Sequence, residues 1–294
     1  MRLGVVILPE QPWEQAAELW RAAEEMGFSH AWTYDHLAWA GLRDEPWFGA
    51  VPVLTAAATV TSRIRLGPLV ASPNFRHPVS LAREVLAVDD ISAGRLTLGI
   101  GAGGLGWDAA ILGGPAWNLD ERLSRFEEFV TLLDRVLVER ETSFQGRYYR
   151  VEEARSYPGC RQRPRVPFAL AGTGPRGMRT VARFGQAWVT TGPRGVDRPL
   201  GATAGARVVG EQLALLASAC EEVGRPEGVP ERVVLAGPGL DQGLASPQQL
   251  TDTLGTYAAV GVTDFVVHWP RSSEPYRGDR DHFERVISSV SSGS

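Results

Sequence analysis

The 294-residue chain has the composition of an ordinary globular protein, with 44% apolar and 22% charged residues. Its 34 acidic and 30 basic side chains give a net charge of −4, which excludes the strongly basic surface typical of proteins that bind nucleic acid or anionic membranes. Every basic residue is Arg, so Schiff-base chemistry and a P-loop lysine are also excluded.

The sequence carries no sign of export or membrane insertion. No apolar run reaches the roughly 18 residues of a transmembrane helix. The N-terminal segment meets Pro9 and Glu10 too early for a secretory signal, and Cys160 and Cys220 are expected to be reduced thiols. We therefore expect a cytoplasmic protein with no membrane partner.

Short apolar runs alternate with amphipathic helical segments along the whole chain. The predicted strands cover 2–8, 30–34, 64–70, 95–101, 166–172, 187–191, 232–237 and 264–269. The predicted helices cover 12–26, 48–61, 78–91, 120–140, 175–184, 205–223, 247–259 and 280–290. Eight such units predict a single α/β domain over 1–294, a parallel eight-stranded (β/α)₈ TIM barrel. A doubly wound open sheet is the alternative.

One segment, 141–165, interrupts the alternation. The residues around Gln145-Gly146 predict a small hairpin insertion within the barrel.

Two glycine-rich loops follow predicted strands, at the end of a barrel where active sites lie. The sequence GIGAGGLG covers 99–106, and AGTGPRG covers 171–177, where it opens a helix. Glycine lets backbone N–H groups approach a ligand, and a helix N-terminus favours negative charge, so the second loop predicts a phosphate site. Arg176 would add a charge-assisted contact. The alternative is that both loops are tight turns in a glycine-rich protein.

His36 is the candidate catalytic residue, because it directly follows the second strand, beside Asp35. The alternative is a loop histidine whose hydrogen bonds are satisfied by its neighbours. The remaining histidines are predicted to be structural: His30, His77, His268 and His282. No two histidines have metal-ligand spacing, and no metal is predicted.

A polar cluster lies at the opposite, N-terminal end of the strands and is predicted to be structural. It contains Asp89, Ser92, Gly94 and Arg95, in which Arg95 is expected to pair with a carboxylate such as Asp89 or Glu84.

Four of the nine tryptophans lie close to loop ends at the predicted barrel mouth: Trp39, Trp107, Trp188 and Trp269. Flat aromatic side chains at one mouth suit a planar heterocycle, and these tryptophans are predicted to form the wall of the substrate site. Core packing is the alternative for each of them.

Several segments resemble the luciferase-like oxidoreductases, the superfamily that includes flavin-dependent monooxygenases and enzymes that use the deazaflavin coenzyme F420. The similar segments are 23–37, 61–103, 122–137, 144–151 and 166–191. The run RHP…D-x-x-S-x-G-R…G-x-G-x-G carries most of the resemblance, and the last third of the chain matches only in its alternation of strands and helices.

The resemblance implies a barrel that binds a flavin or deazaflavin ring at the strand ends, on a non-proline cis peptide expected at Leu69-Val70. The implied ring-binding residues are Asp35, His36, Leu69, Val70, Ser72, Gly101, Ala102 and Gly103. The implied phosphate loop is Gly172, Thr173, Gly174, Pro175, Arg176, Gly177 and Met178.

Two positions depart from the family pattern. Gly104 stands where the sugar-phosphate dehydrogenases of the deazaflavin branch have an acidic residue, which argues against sugar-phosphate oxidation. Gln186-Ala187-Trp188 stands where Asp-Gly-Trp is usual.

The resemblance implies an oxidoreductase that uses reduced F420 for hydride transfer to or from a small organic substrate. The alternative is an FMN-dependent two-component monooxygenase, served by a separate flavin reductase, that inserts oxygen into a small organic substrate. A third hypothesis is a ligand-binding barrel without catalysis. Family members are often dimers, so a homodimer is a further hypothesis, without a predicted interface.

Overall fold

A computed structural model describes residues 1–193, 195–226 and 230–291 of the chain. The strands are β1 (Arg2–Val6), β2 (His30–Thr33), β3 (Arg65–Pro68), β4 (Leu98–Ile100), β5 (Glu141–Gln145), β6 (Arg150–Arg155), β7 (Phe168–Ala171), β8 (Ala187–Thr190), β9 (Glu231–Leu235) and β10 (Asp264–His268). The helices are α1 (Trp13–Glu25), α2 (Ala50–Val60), α3 (Pro78–Ile91), α4 (Trp107–Ala110), α5 (Leu119–Val138), α6 (Pro175–Phe184), α7 (Ala202–Glu222), α8 (Pro247–Ala259) and α9 (Arg280–Ser291).

Eight of the strands form one parallel sheet in the order β3-β2-β1-β10-β9-β8-β7-β4. Its two outer strands, β3 and β4, meet through isolated bridges between Leu66 and Leu96 and between Ala71 and Ile100. The sheet therefore closes into the predicted (β/α)₈ barrel.

Between those bridges the β3 backbone leaves the ladder, and the peptide bond Leu69-Val70 is cis, as the resemblance implied. Glycines bring the backbones together here. A Cβ on Gly67 would lie 2.0 Å from the carbonyl oxygen of Thr97, and one on Gly99 would lie 2.2 Å from that of Pro68. Any side chain at either position would separate β3 from β4.

The strands are buried on both faces, as parallel strands covered by helices must be. Side chains such as Val6, Val189 and Val266 fill the barrel interior. The alternate side chains, such as Val5 and Trp188, pack between the strands and the surrounding helices. This explains why the strands appear in the sequence as continuous apolar runs.

The predicted insertion is an antiparallel hairpin of β5 and β6. Glu128 of α5 holds its turn, because the carboxylate accepts backbone N–H groups of Arg147, Tyr148 and Tyr149 at 2.9, 2.8 and 2.7 Å.

The N-terminal end of the barrel is closed by a buried polar network. The indole of Trp32 donates to Nδ1 of His30 at 2.6 Å, and Nε2 of His30 lies 3.0 Å from Oδ1 of Asp264. Arg2 donates to both carboxylate oxygens of Asp264, at 2.7 and 2.8 Å. The predicted structural role of His30 is confirmed.

The polar cluster at this end is structural as predicted, but the expected carboxylate partner of Arg95 is wrong. Arg95 donates to the carbonyl oxygens of Ala58, Thr61 and Ile64, which end α2 and precede β3. Asp89 instead accepts the side-chain amide of Gln162 at 2.8 Å.

The short helix α4 and a 3-10 turn at Ala40–Leu42 were not predicted, because neither is long enough to show a periodic apolar pattern. Within the described ranges, no helix combines the length and apolar character needed to cross a membrane.

Candidate active site at the barrel mouth

His36 lies in the loop after β2. A buried ion pair between Asp35 and Arg76 holds this loop in place. The carboxylate of Asp35, 2% exposed, accepts two hydrogen bonds from Arg76 at 3.0 and 2.8 Å. Burial acts to lower the pKa of Arg76, but its hydrogen bond to Asp35 and the charges of Asp35 and Glu84 outweigh burial and raise it. The carboxylate of Asp35 is thus committed to Arg76 and positions the loop, and the predicted cofactor contact of Asp35 stays a prediction.

The imidazole of His36 faces a carboxylate that sequence reasoning missed. Nδ1 of His36 lies 3.4 Å from Oδ2 of Asp108 in α4, and this buried nitrogen makes no hydrogen bond within the described part of the chain. Oδ1 of Asp108 accepts the backbone N–H of Leu37 at 2.6 Å. Asp108 therefore joins the loop after β4 to the loop after β2 and places a carboxylate beside the candidate catalytic ring. Its only sequence signal is its place after a glycine-rich strand end.

Buried aromatic rings form the wall behind His36. The hydroxyl of Tyr34 lies 2.7 Å from Nε2 of His268, whose ring stacks on Tyr276 with centroids 3.6 Å apart. Trp39 stacks on Tyr276 and on Trp47, at 6.3 and 6.1 Å. Burial lowers the pKa of His268 to about 3, a shift only partly offset by the backbone of Ala236, so its imidazole is neutral at pH 7.

His268 is buried in the barrel interior, as the sequence predicts. Its Nδ1 is buried without a hydrogen-bond partner among the described residues, although Nε2 has Tyr34. A Cβ on Gly237 would lie 2.7 Å from this Nδ1, so any side chain at position 237 would clash with the imidazole ring.

A second ion pair joins the loop after β1 to the loop after β10 at the barrel mouth. Arg271 donates to both oxygens of Glu10, at 2.8 and 2.6 Å, and to the carbonyl oxygens of Ser273, Glu274 and Pro275. These bonds shape the loop that carries Tyr276. No sequence pattern indicates the pairing, because the two residues are far apart in the chain.

The glycines after β4 pack against the loop after β3. A Cβ on Gly101 would lie 2.7 Å from Cγ2 of Val70, and one on Gly103, whose φ is +76°, would lie 2.4 Å from Oδ1 of Asn74. Ala102 between them is partly exposed, and so is Val70. The predicted ring-binding segments after β3 and β4 thus form one continuous backbone surface at the rim.

Two further residues of the β3 segment contribute little side-chain surface to the rim. Leu69 is 4% exposed and packs in the barrel interior. The buried hydroxyl of Ser72 accepts the backbone N–H of Asn74 at 3.3 Å. Their predicted contacts with a cofactor stay predictions, and for Leu69 they are confined to the backbone.

The loop after β7 has the shape expected of an anion cradle. Gly172 and Gly177 pack against each other, since a Cβ on Gly172 would lie 3.1 Å from Cα of Gly177. Helix α6 begins at Pro175, so N–H groups of its first turn have no intrahelical acceptor. Thr173 is partly exposed and Gly174 is exposed beside them.

Two residues predicted to bind phosphate in this loop are engaged elsewhere. Arg176 donates to Glu127 at 2.8 Å and to Asp120 at 2.5 Å, which neutralises its charge. The hydrogen bond to Glu127 and both carboxylate charges raise the pKa of Arg176 despite some burial. Met178 is fully buried, and its N–H donates to Gly174. The guanidinium of Arg176 and the side chain of Met178 are therefore not available to a phosphate, and the predicted contact of Arg176 is confined to its backbone N–H in the first turn of α6. The assignment of both residues to a phosphate site stays a prediction.

The four predicted tryptophans divide into two groups. Trp39 lies in the mouth, and Trp107, 57% exposed, lies on its rim with Arg43 over the ring. Trp188 and Trp269 were wrongly predicted, because their side chains point away from the barrel axis. Trp188 is fully buried and donates to the carbonyl oxygen of Gly172 at 2.7 Å, and Trp269 packs on Phe283 of α9.

Relatives with known activity match about three fifths of the chain. An F420-dependent glucose-6-phosphate dehydrogenase of Beutenbergia cavernae is 33% identical over 183 residues, which cover 59% of this chain and 51% of that protein. A 5,10-methylenetetrahydromethanopterin reductase of Methanopyrus kandleri is 28% identical over 194 residues, or 62% and 52% of the two chains. The chain thus aligns with about half the length of these relatives.

Solved structures match over nearly the full length. The coenzyme F420-dependent tetrahydromethanopterin reductase from Methanopyrus kandleri superposes with a TM-score of 0.75 at 20% identity, covering 99% of this chain and 97% of that one. An F420-dependent secondary alcohol dehydrogenase gives 0.80 at 16% identity, with 98% of both chains covered. A monooxygenase from Streptomyces bottropensis gives 0.77 at 20% identity, covering 99% and 98%. At these identities the similarity shows the fold.

The family model for luciferase-like monooxygenases matches residues 1–238, which include every loop of the mouth described above except the one after β10. This chain belongs to the luciferase-like monooxygenase family.

Proposed function

We propose that this protein is an oxidoreductase that uses reduced F420 to transfer a hydride to or from a small organic substrate. One observation carries the proposal: His36 and the loops after β3, β4 and β7 all lie at the C-terminal end of the barrel. Asp108 links the loop after β4 to that of His36, and Asn74 links it to the loop after β3. The F420-dependent relatives support F420 as the cofactor.

The residues at the mouth fit a flat, phosphorylated heterocycle. The glycine-lined rim from Gly101 to Gly103 and the backbone of Val70 would hold the ring edge, since no bulky side chain intervenes there. Thr173, Gly174 and the first turn of α6 would hold the phosphate through N–H groups at a helix N-terminus.

F420 supplies the hydride chemistry when bound, and the protein supplies orientation and proton handling. His36, with its unbonded Nδ1 beside Asp108, is placed to exchange a proton at the mouth. Asp35 and Arg76 keep the loop of His36 in position. The neutral His268, held by Tyr34 and Tyr276, keeps the wall behind it uncharged.

Glucose 6-phosphate, the substrate named for one relative, is not the substrate we propose. Gly104 stands where sugar-phosphate dehydrogenases have an acidic residue, and no heavy atom lies within 4 Å of a Cβ built on it. No carboxylate therefore occupies that position on the rim.

An FMN-dependent monooxygenase with a separate reductase is the second candidate, favoured by the family match itself. Titration of the protein with F420 and with FMN, followed by fluorescence quenching and by oxygen consumption, separates the two. We expect tighter binding of F420 and no oxygen uptake. Tight FMN binding with coupled oxygen uptake would replace the proposal, and binding of neither cofactor would favour a non-catalytic ligand-binding barrel.

The assembly and location of the protein belong to the same proposal. We propose a cytoplasmic homodimer acting on a small molecule. Light scattering on the purified chain measures the assembly, and a monomeric mass at micromolar concentration would contradict it.

A further inference from the structure

Helix α5 carries two buried arginines that have no counter-charge among the residues the structure describes. Arg122 and Arg125, one turn apart, are each only 9% exposed. Arg122 donates to the carbonyl oxygen of Gly103 at 2.8 Å, and Arg125 donates to Oδ1 of Asn74 at 3.0 Å. Both acceptors are neutral. The Nε atoms of both arginines are buried and have no hydrogen-bond partner among the described residues.

The carboxylates of α5 near these arginines are all engaged elsewhere. Asp120 and Glu127 pair with Arg176, on the loop after β7. Glu121 forms the capping box with Asn118, and Glu128 holds the hairpin turn. Arg122 and Arg125 therefore remain unpaired within the described ranges.

The other buried arginines of the described chain differ in this respect. Arg165, 6% exposed, pairs with Asp134 at 2.6 Å, and Arg271, 8% exposed, pairs with Glu10 at 2.6 Å. A buried charge is strongly unfavourable unless an opposite charge compensates it. Burial lowers the pKa of Arg125, and the nearby charge of Arg122 lowers it further. The pair thus lacks the anion that each of the other two has.

A cavity of about 430 Å³ lies beside the pair at the barrel rim. Arg122 and Asn74 line it together with apolar side chains, chiefly Leu105, Trp107 and Trp117. The guanidinium of Arg125 lies over the ring of Trp117, at 5.3 Å from its centroid. The volume suits a small organic molecule. The cavity therefore combines an apolar wall with the unpaired charge of Arg122, and the unpaired charge of Arg125 lies directly behind two lining residues, Asn74 and Trp117.

We propose that Arg122 and Arg125 bind the carboxylate of an apolar organic acid whose body fills this cavity. The anion site follows from the arginines alone, whereas its assignment to the substrate rests on the proposed function. The acid would lie against Gly103 and Gly104, next to the rim that we assign to the cofactor ring. A phosphate or an anionic group of the cofactor has the same charge chemistry, so the experiment includes both.

The test measures binding to the full chain without added cofactor. The probes are 4-phenylbutyrate, the neutral 4-phenylbutanol and inorganic phosphate, followed by calorimetry and by the fluorescence of the cavity tryptophans. We expect the acid to bind at least tenfold more tightly than the alcohol. Arg122→Gln and Arg125→Gln should each reduce this preference to about twofold, and Arg125→Lys should retain most of it. Arg135→Gln is the matched control, because Arg135 lies on the same helix but pairs with Glu139.

Thermal melting distinguishes an anion site from a structural role. We expect the acid to raise the melting temperature of the wild type and of Arg135→Gln, but not that of Arg125→Gln. The Gln variants without ligand should melt no lower than the wild type, because they lose an unpaired buried charge. Clearly lower melting of both variants, together with no effect of the acid on the wild type, would overturn the proposal.

A parallel titration with F420 separates this inference from the proposed function. We expect Arg125→Gln to bind F420 within twofold of the wild type. A loss of F420 affinity of tenfold or more in that variant would assign the anion to the cofactor and overturn the substrate assignment, and so would stronger binding of phosphate than of the acid. Acid binding without F420 binding would leave the anion site standing and remove the proposed function.

Discussion

The two ends of the barrel differ in whether their buried polar atoms have hydrogen-bond partners. At the N-terminal end, His30, Asp264 and Trp32 hydrogen-bond one another, and Arg2 completes the network. At the C-terminal end, buried nitrogen atoms lack partners among the described residues: Nδ1 of His36, Nδ1 of His268, Nε of Arg122 and Nε of Arg125. One strand, β10, contributes to both ends, with Asp264 at its start and His268 at its finish.

This difference in hydrogen bonding indicates a different role for each end of the barrel. A buried polar atom without a hydrogen bond costs about 1–3 kcal/mol, which a native protein tolerates where a ligand or a reaction uses the atom. The paired end therefore stabilises the fold, whereas the unpaired atoms of the other end are available to the ligand and the reaction that we propose there. The following predictions test that division.

The largest expected effect is on stability at the paired end. Asp264→Ala leaves His30 and Arg2 without their carboxylate, so we expect the free energy of unfolding to fall by about 3–5 kcal/mol. Urea unfolding measures it. Glu231→Gln, which removes the exposed partner of the same Arg2, is the control and should cost less than about 1 kcal/mol. Equal losses in both variants would contradict a buried network.

At the opposite end, His36→Ala should affect catalysis and not folding. We expect turnover to fall at least about 100-fold, equivalent to about 2.7 kcal/mol, with cofactor affinity changed by less than about tenfold. Steady-state kinetics with the substrate found for this enzyme, and cofactor titration, measure the two quantities. His282→Ala on α9 is the control. Unchanged turnover in the His36 variant would refute its role.

The neutral His268 predicts a pH dependence of stability. Its folded pKa, about 3, lies below the unfolded value of about 6.5, so the unfolded chain binds the extra proton in this range. Stability should therefore be independent of this group above pH 6.5 and fall with acidification, by about 1.5 kcal/mol between pH 6.5 and 5. His268→Gln should flatten this part of the curve in urea unfolding at several pH values, and a curve as steep as that of the wild type would contradict the buried neutral state.

The smallest expected effect concerns Glu24, which ties α1 to the segment before β3 at the paired end. Burial acts to raise the pKa of Glu24, but hydrogen bonds from the backbone N–H groups of Ile64, Arg63 and Ser62 outweigh it and lower the pKa to about 2. Its stabilisation is thus present above about pH 4 and is lost as the pH falls to 2. Glu24→Gln should cost about 1 kcal/mol at pH 7 and little at pH 2, measured by thermal unfolding. Glu25→Gln, the neighbouring exposed carboxylate, is the control.

Local patterns in the sequence predicted the barrel well, because each strand is a short apolar run and each helix has its own period. Strand ends also placed His36 and the glycine-rich loops correctly at one end. The same rule misplaced Trp188 and Trp269, since proximity to a strand end does not say which face a side chain takes. A shift of one residue along a strand turns a side chain from the barrel interior to the helix layer.

The sequence by itself determined the eight repeating units, the hairpin, the candidate histidine and the loops whose glycines permit close backbone contact. Only the tertiary structure decided which charges are paired. It neutralises Arg176 with two carboxylates of α5 and leaves Arg122 and Arg125 without any in the described ranges. Pairing depends on distances between residues remote in the chain, and no periodic pattern records those distances.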